Sequence, residues 1–108
     1  MNTEQLINEL RALYRSQEMR LHTLNPICCS EEIPYREERK TCLMICSRLS
    51  DLLDILENDS LPQDTRLDQF RKAADAALNK WKAWAAGNPE VRKASVKLTE
   101  LVILSRIP

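Results

Sequence analysis

In the second half of the chain, Leu67, Phe70, Ala74, Ala77, Trp81 and Trp84 follow one another at spacings of 3, 4, 3, 4 and 3. Only a helix gathers residues so spaced on one side, because a strand changes face at every residue. An unbroken heptad seam also needs an apolar surface to lie against along its whole length. The rest of the chain must therefore supply further helices. The alanines at the middle of the seam (Ala73, Ala74, Ala76, Ala77) would let a neighbouring helix approach closely, with the large residues closing over it from the ends.

The other segments carry matching patterns. Cys42, Ile45, Leu49, Leu52 and Leu56 recur at spacings of 3, 4, 3 and 4, with Cys46 and Leu53 widening the same face. They mark a second helix that starts near Pro34, whose missing N–H is harmless in a first turn, and closes at Asn58-Asp59-Ser60. Leu6, Leu10 and Leu13, flanked by Ile7 and Tyr14 and continued less regularly by Leu21 and Leu24, mark a first helix from 3 to about 24. Thr3 is its expected N-cap and Glu4 an acid in its first turn. Asn25-Pro26 should end it, since the residue before a proline is pushed out of the α region.

The third helix has Ser60 as a candidate cap and Pro62 near its start. Gly87, the only glycine, stands where a helix end favours a left-handed residue. Asn88, Pro89 and Glu90 then read as the N-cap, first position and first-turn acid of a last helix reaching about 106. Val91, Ala94, Leu98, Leu101 and either Leu104 or Ser105 share one side of that helix, while Val96 and Ile103 lie away from it.

The expectation is an all-α fold: one domain over 1–108, a small antiparallel bundle of about four helices with breaks at 25–30, 58–61 and 87–88. A single glycine and 5% aromatic residues argue against a turn-rich β fold, and 44% apolar residues against wholesale disorder. The longest apolar run, Cys42 to Cys46, with Leu101 to Leu104 next, falls far short of the roughly 20 residues a membrane span needs. The first residues lack the basic and apolar regions of a signal peptide. The expected address is the cytoplasm, with no membrane contact.

Net charge is zero but unevenly placed. Residues 31–59 carry four basic and eight acidic groups, residues 60–108 nine and five. The two segments can attract each other within the bundle, or the basic one can face a polyanion. Lys80-Trp81-Lys82-Ala83-Trp84, with Arg92, Lys93 and Lys97, has the composition of a nucleic-acid surface, where cations meet phosphates and aromatic rings stack on bases. Against that reading, both tryptophans occupy seam positions and should face the core. A pI near 6.6 also lies well below that of a dedicated nucleic-acid binder.

Cys42 and Cys46, one helical turn apart, direct both thiols to the same side with Cβ atoms about 6 Å apart. As members of the apolar stripe they read first as small core residues. Cys28 and Cys29 precede that helix and His22 stands near the end of the first, so the five residues together are candidate zinc ligands or a redox site. Their spacing does not match the paired C-x2-C knuckles of common zinc sites.

Catalysis finds little support. There is one histidine for general acid–base work, one glycine where a phosphate loop needs several, and no third group to support a cysteine nucleophile. No cofactor is expected. The leading expectation is a non-catalytic protein–protein interaction module: an adaptor, or an inhibitor or modulator docking on a larger protein, of a kind that mobile elements or phages encode. Its candidate face comprises Lys80, Lys82, Arg92, Lys93, Val96, Lys97 and Ile103, and it is also the surface on which a homodimer or a nucleic acid would form contacts. The alternatives are a nucleic-acid-associated regulator using the basic segment, and a zinc- or redox-sensing protein using the cysteines.

Overall fold

Four helices make up the architecture: α1 (Thr3–Cys28), α2 (Ile33–Leu56), α3 (Gln63–Ala85) and α4 (Pro89–Ser105). The computed structural model describes the backbone of residues 3–28 and 33–106, and the side chains of these residues outside 24–36. No strand occurs among the described residues, and none of their helices is long and apolar enough to cross a membrane.

The helices run alternately up and down. Arg11 near the start of α1 meets Glu57 just past the end of α2, and Arg20 further along α1 meets Glu38 near the start of α2. Lys97 in α4 reaches Glu9 in α1 at 3.0 Å, and Arg71 in α3 reaches Ser105 at the end of α4. Packing is most extensive within the α1–α2 and α3–α4 hairpins; the α2–α3 seam and the α1–α4 contact join them more lightly. The bundle is elongated, 47 × 25 × 17 Å.

One continuous core fills it, and its residues are those the spacings select. Leu6 and Leu10 of α1 pack with Ile45, Leu49, Leu52 and Leu56 of α2. Phe70, Ala74, Ala77 and Trp81 of α3 join Val91, Ala94, Leu98 and Leu101 of α4. Beyond Leu10, Gln17 takes a place on the buried side of α1, and its Oε1 finds no hydrogen-bond partner among the described residues.

Several expected helix ends differ from those observed. α1 does not stop at Asn25 but continues through Pro26 to Cys28. Proline's bias on the preceding residue is a preference that a helix can override, at the cost of one backbone hydrogen bond. Thr3 lies inside α1 rather than capping it, and its Oγ1 is buried without a partner among the described residues. Ser60 does not cap α3: its amide and hydroxyl both donate to Asn58 Oδ1, an Asx turn, and Pro62 occupies the N-cap position.

Gly87 is not left-handed, since no described residue has a positive φ. The C-cap of α3 is Ala86 at φ −61°, and the Gly87 amide donates to Trp84 O at 3.2 Å in a tightened last turn. A further contact crosses the corner. The Arg92 guanidinium donates to the carbonyls of Ala85 and Ala86, at 3.3 and 3.2 Å, and so serves the last two carbonyls at this end of α3, which a left-handed glycine motif does not reach. Asn88, extended at φ −136°, turns the chain and caps α4, its Oδ1 accepting from the amides of Glu90 and Val91.

Candidate functional site

The outer face of α4 presents the expected apolar residues. Val96 is 55% exposed and Ile103 57%, two turns apart on the side of the helix away from Leu98 and Leu101. Of the two residues that competed for the last core position, Ser105 is buried and Leu104 lies at the exposed edge. Arg92, Lys93, Lys97 and Glu100 wall a shallow depression of about 360 Å3 over Val96. A helix apolar on its packed side and again on its free side is unusual for a small bundle.

The basic residues around this face are more engaged than their sequence suggests. Three arginines of the basic segment bond to the ends of helices, where carbonyls lack partners and the dipole favours cations. Arg66 donates to Leu56 O at the end of α2, Arg92 to the end of α3, and Arg71 to Ser105 O at the end of α4. Lys72 pairs with Asp68 at 3.1 Å, Lys97 with Glu9, Lys93 more distantly with Glu90, and Arg106 with Asp75. Lys80 and Lys82 form no ion pair among the described residues.

Trp81 and Trp84 part company. Trp81 is 1% exposed in the core, as the seam requires, but Trp84 is 40% exposed. A straight helix drifts about 20° per heptad relative to a 3.5-residue repeat, so by Trp84 the seam has turned by roughly 50° from Leu67. Trp84 stands instead beside Met44 and Thr41 of α2, over a hollow of about 400 Å3. Thr41 holds this end of the bundle together: its hydroxyl donates to Glu37 O, and its Oγ1 accepts from Asn88 Nδ2 at 3.3 Å.

Cys42 and Cys46 are free thiols buried on the core face of α2. Burial pushes both thiols up from their ordinary value; Glu90 adds to the effect at Cys42 while Arg20 opposes it, and Cys42 and Glu18 add to it at Cys46. Both therefore stay protonated at neutral pH, the state least suited to nucleophilic attack or metal ligation. His22 is exposed on α1, six residues before the helix ends rather than in its last turn. Cys29 and the Cys28 side chain lie outside the described residues. Among the described residues no group of three His, Cys, Asp or Glu side chains stands placed to hold a metal ion.

What sequence reasoning missed are the arginine caps and the hollow beside Trp84. The hollow is lined from α3 by Ala83 and Trp84 and from α2 by Thr41 and Met44, a meeting of distant residues that no local spacing announces. Compared with known proteins, the chain matches no family model, no curated protein and no solved structure.

Proposed function

We propose that this chain is a non-catalytic helical interaction module, an adaptor, inhibitor or modulator that docks on a larger protein through the outer face of α4. The observation that carries the reading is the aligned exposure of Val96 and Ile103 on a helix whose opposite side is already packed in the core. Apolar side chains held on a rigid helix and bordered by Lys93 and Lys97 match the anchors of helix-mediated recognition. The same rim orients a partner by charge without adding much affinity. A non-catalytic role fits the buried, protonated thiols, and a cytoplasmic setting fits their unpaired state.

Site-specific photocrosslinking tests this. A photoreactive residue at position 96 should give a defined adduct in the native host, and Ile103→Glu should abolish it. The same residue at position 12, exposed on α1, should give none. An adduct of twice the chain's mass makes the partner a second copy, to be checked by light scattering. Adducts that are absent, or equal at both positions, overturn the proposal.

A further inference from the structure

We draw no further inference here: the strongest candidate, the hollow of about 480 Å3 between the starts of α1 and α3, carries nothing, because Arg11 and Arg66 in its wall are already engaged by Glu57 and by Leu56 O, Glu4 stands beside them, and its unpartnered groups, Thr3 Oγ1 and Arg66 Nε, are closed to solvent.

Discussion

Replacing Gly87 by alanine separates two accounts of the α3–α4 corner by sign alone. Gly87 has no positive φ, and a Cβ built on it meets no heavy atom within 4 Å. Its amide keeps the bond to Trp84 O whatever the side chain. The folded state therefore loses nothing, while the unfolded chain loses part of glycine's excess freedom, so Gly87→Ala should stabilise by about 0.4–1 kcal/mol. For a domain of this size that is a rise of roughly 2–6 °C in Tm. It is also a shift of a few tenths of a molar in the urea midpoint at unchanged slope. A left-handed glycine at this corner would give the opposite result, because forcing alanine into that region costs about 1–2 kcal/mol. Urea unfolding followed by far-UV circular dichroism decides between them. A lowered midpoint would refute the structural account of this corner. Arg92→Met is the companion: it strips the carbonyls of Ala85 and Ala86 of their donor and, at this exposed position, should cost about 0.5–1 kcal/mol.

Trp81→Ala should cost about 3–5 kcal/mol by opening a core cavity, whereas Trp84→Ala should cost less than about 1 kcal/mol; equal losses in denaturant melts would contradict their different burial. Asn88→Ala removes the α4 cap and should cost about 1 kcal/mol, measured in the same way. Cys42 and Cys46 should resist alkylation at pH 7.5 in the native chain and react rapidly in 6 M guanidinium, a contrast that mass spectrometry reads directly (about the ordinary unfolded thiol pKa of 8.5). Since folding raises both thiols, the unfolded state sheds their protons first, and the stability they contribute is full below about pH 8.5 and falls as pH rises through their folded values; alanine at both positions should flatten that alkaline slope. Val96→Glu and Ile103→Glu should each leave stability within about 0.5 kcal/mol, and a large loss of stability would mean these side chains serve the core instead.

The fold was legible because the determinants of helices are local and periodic. The stripe from Cys42 to Leu56 and the seam from Leu67 to Trp81 are both buried as spaced, and Asn88-Pro89-Glu90 begins α4 as such a triplet should. Illegible features were those fixed by residues distant in sequence. Nothing near Gly87 announces that Arg92 will reach back to the carbonyls of Ala85 and Ala86, or that the glycine keeps a negative φ. Nothing near Asn25 shows that helical structure persists beyond Pro26. Trp84 was misplaced for a reason of degree: a heptad read at 3.5 residues per turn agrees with a 3.6-residue helix only over short stretches. Of the candidate surface, Val96 and Ile103 were legible since an apolar residue off the core stripe has nowhere to go but outward.

The uneven charge of the chain has a structural explanation that narrows where binding can occur. Its acidic segment is not matched mainly by the basic one. Glu38 and Glu57 pair with Arg20 and Arg11 of α1, whereas Asp59 at the segment's end reaches only Arg66, at 3.8 Å. The basic surplus of 60–108 goes instead to the ends of α2, α3 and α4, through Arg66, Arg92 and Arg71. Arginine suits that use, since its planar fork can bond two oxygens at once, as Arg92 does with Ala85 and Ala86. Lysine, a compact charge on a flexible stem, is left to the surface. Once the caps and ion pairs are set aside, the cations of this segment still unmatched among the described residues are Lys80 and Lys82, flanking Trp81. Lys80 lines a hollow that it shares with Arg48 and Asp51 of α2. A composition that suggests a broad basic face thus resolves, among the described residues, into helix caps, ion pairs and two unmatched lysines.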